Sequence, residues 1–154
     1  MNKVKEVFGN KVRIRASGLC FKEDAILLIK HNIGGQYLWA PPGGGVEFGE
    51  SIDQTIIREF KEETSLNVKP GHFLFFNEFI NKPLHAIELF YKINSFKGEL
   101  AIGIDTELKE YKIIEDVDFF TQSQISNLPP DQLHTILKIC NNPIELLHIR
   151  GQLK

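Results

Sequence analysis

Between Pro41 and Glu50 the chain reads Pro-Pro-Gly-Gly-Gly-Val-Glu-Phe-Gly-Glu, and from Arg58 it reads Arg-Glu-Phe-Lys-Glu-Glu. Two prolines forbid a helix at their own positions, and the three glycines that follow give the backbone unusual freedom. Ser51 is suited to cap a helix, because its hydroxyl can accept from the open amides of the first turn. From Ile52 the residues Ile56 and Phe60 recur at helical spacing, joined by Ile57, so one stripe faces a core and the helix ends near Thr64-Ser65. Glu59, Glu62 and Glu63 stand at i, i+3 and i+4 and share one face of that helix. Together with Glu47 and Glu50 they gather negative charge whose repulsion opposes folding unless a cation or water relieves it. Carboxylates are hard oxygen ligands of the kind that hold Mg²⁺ beside substrate phosphates. The stretch therefore reads as a metal site for phosphate chemistry.

Elsewhere the pattern favours strands. Val12–Phe21 alternates, with Ile14, Ala16 and Gly18 on one face and Arg13, Arg15 and Ser17 on the other, and Lys22-Glu23-Asp24 turns it into a second strand at Ala25–Lys30 as a hairpin. Gly34-Gly35 opens a loop before a short extended piece at Tyr37–Ala40. Further strands are expected at Phe73–Ile80, Ala86–Ser95 and Tyr111–Ile114, the last leading into a short strand and turn across Glu115–Phe120. Ser123–Asn127 has room for one helical turn. After Pro129-Pro130, Asp131–Cys140 carries Leu133, Ile136, Leu137 and Cys140 at amphipathic helical spacing. Strands outnumber helices, and the expectation is an α+β chain with two helices on opposite faces of one mixed sheet. A length of 154 residues suits a single domain over 1–154 with a real core.

The residues from Gly44 to Leu66 resemble the signature of the Nudix hydrolases: Gly44, Glu50, Arg58-Glu59, Phe60, Glu62-Glu63, Ser65 and Leu66. Chance agreement at its fixed polar and glycine positions is roughly one in 10⁷ per starting point. The approach Leu38-Trp39-Ala40-Pro41-Pro42-Gly43-Gly44 is also similar to that of many members. The one departure is Ser65, where the family usually has glycine in a left-handed closing turn; a Cβ there costs about 1 kcal/mol. The resemblance implies a Nudix-type α/β/α sandwich, a mixed β-sheet flanked by helices. It implies Glu59, Glu62 and Glu63 as ligands of Mg²⁺, with Mn²⁺ as a substitute, and Glu50 paired with Arg58 to hold loop and helix in register. Glu107 is nominated as a further metal ligand or the general base, with Glu110 as fallback. Glu62, Glu63, Glu50, Arg58 and Glu107 form the expected catalytic set, and Gly43, Gly44, Glu47 and Trp39 the expected substrate contacts.

The implied reaction is hydrolysis of a phosphoanhydride in a nucleoside diphosphate linked to a second group X, such as ADP-ribose, a nucleotide sugar or a nucleoside triphosphate. A nucleotide-pool sanitiser acting on oxidised triphosphates and a non-catalytic nucleotide sensor are the rival readings. Pro83 lies in the region where ADP-ribose-cleaving members often carry a proline. The formal net charge of −2 gives no reason to expect a nucleic-acid partner. The longest apolar run, Ala25–Ile29, is too short to cross a bilayer, and the charged N-terminus lacks a secretory signal. Cys20 and Cys140 show neither CxxC nor zinc spacing, so free thiols in a reducing cytosol are expected. A small-molecule nucleotide partner, no membrane and a possible homodimer complete these expectations. The five histidines show no ligand spacing, and aromatic residues such as Phe75, Phe76 and Phe79 are expected in the core more than against a base.

Overall fold

The apolar run Ala25-Ile26-Leu27-Leu28-Ile29 lies at the centre of the molecule. A strand alternates its side chains, so Ile26 and Leu28 enter one hydrophobic cluster while Leu27 and Ile29 enter another on the opposite face. All four are fully buried. Two layers are therefore needed to cover this strand, one on each side. The computed structural model describes residues 2–104 and 112–154, the side chains of residues 2–4 and 112 excepted.

The mixed sheet has five strands. β1 (Val12–Leu19) runs parallel to β7 (Leu84–Lys97) and antiparallel to β5 (Gly43–Gly45), while β6 (Asn67–Asn81) pairs antiparallel with β7 and parallel with β9 (Gly151–Gln152). A smaller antiparallel sheet joins β2 (Phe21–Lys22), β3 (Ala25–Ile33), β4 (Gln36–Ala40) and β8 (Lys112–Phe120). The helix α2 (Ile52–Thr64) covers one face through Ile56 and Phe60. The other face is covered by α3 (Gln122–Ser126) and two short 3₁₀ segments through Ile125, Ile136, Leu137 and Leu146. The α/β/α order expected from the sequence is the order found. A short helix α1 (Asn2–Phe8), which the sequence reading did not anticipate, precedes β1. No described helix is long and apolar enough to cross a membrane.

Several local readings change. The strands lie in two sheets, because the chain leaves the first at Cys20, and the expected hairpin shrinks to Phe21↔Ile26 and Lys22↔Ala25. Gly34 and Gly35 instead close a two-residue hairpin between β3 and β4, both with positive φ, as such turns require. β6 starts six residues earlier than expected (Asn67 rather than Phe73): Pro70 and Gly71 interrupt the alternation, and the strand absorbs them through register shifts. Asp131–Cys140 is not an α-helix. Leu133 leaves helical geometry to bridge Trp39, the His134 amide donates to the Trp39 carbonyl at 3.0 Å, and 3₁₀ turns flank the break. Ile136 and Leu137 are nevertheless buried as their spacing requires. Ile57, placed on the core stripe by sequence, is 44% exposed.

Candidate active site

Helix α2 is fixed at both ends by its own sequence. Ser51 accepts from the Gln54 amide at 3.1 Å, and the Gln54 side chain accepts from the Ser51 amide at 2.8 Å, a reciprocal cap. At the far end Ser65 takes φ +66°, the left-handed conformation for which glycine is the usual residue. Between these ends, Thr55, Ile56, Glu59, Phe60, Glu63 and Thr64 are buried. The carboxylates of Glu59 and Glu63 thus lie on the face that meets the sheet, next to apolar residues, while Glu62 is partly exposed.

That face meets β5. The Gly43 amide donates to Glu63 Oε1 at 3.0 Å, and the Glu59 carboxylate lies against the Gly44 Cα, where a Cβ would strike it. A Cβ on Gly43 would strike Ser17 and the Ala16 carbonyl across the β1 ladder. The sequence suggested freedom as the reason for these glycines. None of Gly43, Gly44 or Gly45 has positive φ; the reason at Gly43 is close approach to β1 and at Gly44 close approach to the Glu59 carboxylate.

Arg58 gathers the remaining acids. Its Nε and Nη2 donate to the two oxygens of Glu50 at 2.7 and 2.9 Å, and its Nη1 donates to Glu59 at 2.9 Å and Glu62 at 3.4 Å. Glu47, mostly exposed, is 3.9 Å from Nη2, which also donates to the Gly45 carbonyl. Glu50 further accepts from the Thr55 hydroxyl at 2.6 Å and the Glu47 amide at 3.2 Å. The Arg58 hydrogen bonds lead the effects that hold the Glu50 carboxyl down to about 2, and the Glu50 bond likewise raises the Arg58 guanidinium. The loop–helix brace is thus bidentate.

Oxygen donors at this density, two of them buried, have the chemistry that a hard divalent cation requires. Glu59 and Glu62 are turned toward Arg58, and among the described residues no three carboxylate, histidine or cysteine side chains form a ready coordination shell. Glu107 and Glu110 lie outside the described residues. The preceding stretch is anchored to α2: the Ala101, Gly103 and Ile104 amides donate to the carbonyls of Thr64, Glu63 and Glu62 at 3.0, 3.0 and 3.1 Å.

On the other side of Gly43 opens a cavity of about 290 Å³. Arg15 and Ser17 from β1, His31 and Leu38 from the smaller sheet, and Phe79, Glu88 and Phe90 from β6 and β7 are among its lining residues. Arg15 Nη2 makes a long 3.5 Å contact with the Gly43 carbonyl, so one residue links the cavity to Glu63. Glu88 is buried, accepts from Asn77 at 2.9 Å and engages His134 Nε2 with both oxygens at 3.0 Å. The Ile136 amide donates to His134 Nδ1 at 3.2 Å, which directs the Nε2 proton at Glu88. Burial pushes the Glu88 carboxyl up; the His134 bond, the Arg15 charge and the Asn77 amide outweigh it and hold it at about 2. The sequence reading missed this group. The available signal was Glu88 sharing a strand face with Ala86 and Phe90, where a polar residue requires partners. Trp39, expected to touch substrate, lies in the core at 5% exposure with its ring edge-to-face on Phe120, 4.9 Å between centroids, and does not line the cavity.

The NUDIX domain pattern matches residues 11–137, which include β1, the glycine strand, α2 and the cavity wall. The chain belongs to the Nudix family. An ADP-ribose pyrophosphatase from Methanocaldococcus jannaschii is 34% identical over 101 residues, 64% of this chain and 60% of that protein. This chain spans about half the length of the curated relatives it matches, 60% in that archaeal case. A MutT Nudix hydrolase from Burkholderia pseudomallei shares the fold with a TM-score of 0.68 at 22% identity, covering 84% of this chain and 95% of that one. A Nudix hydrolase from Nitrosomonas europaea does so with a TM-score of 0.69 at 21% identity, covering 90% and 89%.

Proposed function

We propose that this Nudix chain is a divalent-metal-dependent pyrophosphohydrolase that cleaves a phosphoanhydride in a nucleoside diphosphate linked to X, releasing a nucleoside monophosphate and phospho-X. The observation that carries this reading is the arrangement about Gly43. Its amide holds Glu63, its neighbour Gly44 abuts Glu59, and its carbonyl faces an Arg15 that lines the cavity. Oxygen ligands for a cation and a chamber suited to a nucleoside are then separated by one strand. Phe79, Phe90, Leu38 and Ala86 supply apolar surface in that chamber, and Ser17, His31 and Arg15 supply polar contacts. Kinship to a protein named ADP-ribose pyrophosphatase supports testing ADP-ribose first.

A phosphoanhydride resists water because its oxygens repel the nucleophile. Mg²⁺, or Mn²⁺ in its place, would be held by Glu59, Glu62 and Glu63 and would neutralise that charge and acidify a water. Arg58 keeps the helix registered on the loop through Glu50 and, in this structure, holds Glu59 and Glu62, which would turn from it to the ion. Glu63 is oriented by the Gly43 amide. Water adds to phosphorus, the bridging oxygen leaves with its electron pair, and a carboxylate takes the water's proton. We assign that last role, or a further ligand role, to Glu107, which follows in sequence the described residues 101–104 that are hydrogen-bonded to the C-terminal turn of α2. We assign a substrate contact to Glu47, which is mostly exposed beside Arg58.

The test is a panel of ADP-ribose, nucleotide sugars and ordinary and oxidised nucleoside triphosphates, with Mg²⁺ and Mn²⁺, for wild type and Glu63→Gln. Metal-dependent release of a nucleoside monophosphate from a diphosphate conjugate, reduced by orders of magnitude in the variant, is expected. Selective cleavage of oxidised triphosphates would move the assignment to the sanitising reaction. Tight nucleotide binding with no turnover would make the chain a sensor.

A further inference from the structure

A second, more open groove of about 650 Å³ lies beside the cavity, between α1 and the turn joining β6 to β7. It shares Leu84 and His85 with the cavity, so the two adjoin. Its charged lining is of one sign: Lys5, Lys11 and Lys82, with Asn10 adding a neutral donor. Among the described residues that line it there is no carboxylate, and the lining His85 is bonded at Nε2 to Glu78 at 2.9 Å. Lys11 is held in place by the Val7 carbonyl at 3.1 Å. Arg13 lines the cavity with its guanidinium 3.7 Å from the Phe8 ring centroid. In a chain of net charge −2, a groove whose charged lining residues are all lysines is a local arrangement and not a reflection of composition.

We propose that this groove binds a phosphate monoester carried on the nucleoside of the substrate, apart from the diphosphate that is cleaved. The proposal rests on the cavity's being the nucleoside chamber. With the diphosphate at the Gly43 end and the nucleoside in the cavity, a 2′- or 3′-phosphate on the ribose has the lysine groove as its cationic outlet. Lysines suit this role as point charges around a dianion in open solvent. The preferred substrate class is then nucleoside diphosphate conjugates bearing an additional ribose phosphate.

Titration calorimetry on the intact chain with AMP, adenosine 2′,5′-bisphosphate and adenosine 3′,5′-bisphosphate tests this directly. At least one bisphosphate is expected to bind roughly 10-fold tighter than AMP, with a preference that shrinks as salt rises. Lys5→Gln/Lys82→Gln, at two exposed positions, is expected to bring that ratio to about one with an unchanged melting temperature. Equal affinities in wild type, or an unchanged ratio in the double variant, would overturn the proposal. So would single-stranded RNA that displaces the bisphosphate at a comparable phosphate concentration, which would mark a generic polyanion patch. Turnover of ADP-ribose and its 2′-phosphate separates the two readings. Hydrolysis of both at equal kcat/KM refutes the groove and keeps the hydrolase; bisphosphate preference without hydrolysis of either does the reverse.

Discussion

Adjacent glycines at the centre of the site should respond to the same substitution in opposite ways. In Gly43→Ala the new methyl would lie 2.6 Å from the Ser17 Cα, with Ser17 Oγ and the Ala16 carbonyl closer still. An ordinary contact needs 3.4–4 Å, so backbone must move by about 1 Å, and overpacking of this kind costs roughly 1–3 kcal/mol. In Gly44→Ala the atoms in the way are the carboxylate of Glu59, with Oε2 at 2.9 Å, and this is the far end of a side chain and not backbone. It can turn aside, at about 1 kcal/mol or less. The carboxylate is then displaced by about 1 Å from the position where Arg58 holds it at 2.9 Å, an error that can lower turnover about 10²-fold. For 154 residues the unfolding entropy is about 0.3 kcal/mol per kelvin, so Gly43→Ala should lower Tm by about 3–10 °C and Gly44→Ala by at most about 3 °C. Differential scanning calorimetry and metal-dependent turnover measure both quantities. Near-wild-type turnover in Gly44→Ala, or equal thermal losses in the two variants, would refute the close-approach argument.

Ser65→Gly should raise Tm by about 2–3 °C, because removing a Cβ at φ +66° relieves about 1 kcal/mol of left-handed strain, partly offset by chain entropy; no gain would mean that the serine is not strained. Glu50 has a depressed carboxyl value, so its contribution to stability is present above the ordinary 4.5 and is lost as pH falls through about 2. The stability advantage of wild type over Glu50→Gln, on the order of 1–2 kcal/mol for this brace, should therefore fade across that acid window in urea titrations, and a gap independent of pH would contradict it. Cys20 is fully buried and its thiol is pushed up to about 12 by burial, so the folded chain should release at most one equivalent of thiol to an aromatic disulfide reagent at pH 8, from Cys140, and two after denaturation.

What was legible in the sequence was whatever local spacing encodes. The cap at Ser51 and the buried face of α2 follow from residues within one helix and its flanking loop, while the Glu50–Arg58 brace and the left-handed Ser65 were expected only through the family resemblance. The cavity was not legible, because Arg15, His31, Phe79, Glu88 and His134 meet only when five separate segments fold. For the same reason the glycines at 43–45 could be seen but not explained; their obstacles are Ser17 and Glu59, from other elements. The Asp131–Cys140 segment kept its apolar spacing and lost its helix to one long-range bridge at Leu133. Trp39 was drawn into the core by Phe120, a neighbour supplied by β8.

The most direct test is a titration of Mn²⁺ followed by electron paramagnetic resonance, with AMP present, on wild type and on Glu59→Gln and Glu63→Gln. Saturable quenching of the free-ion signal in wild type, weakened at least tenfold in each variant while circular dichroism stays unchanged, is the predicted result. Identical Mn²⁺ isotherms for all three proteins would show that the helix carboxylates do not hold the ion.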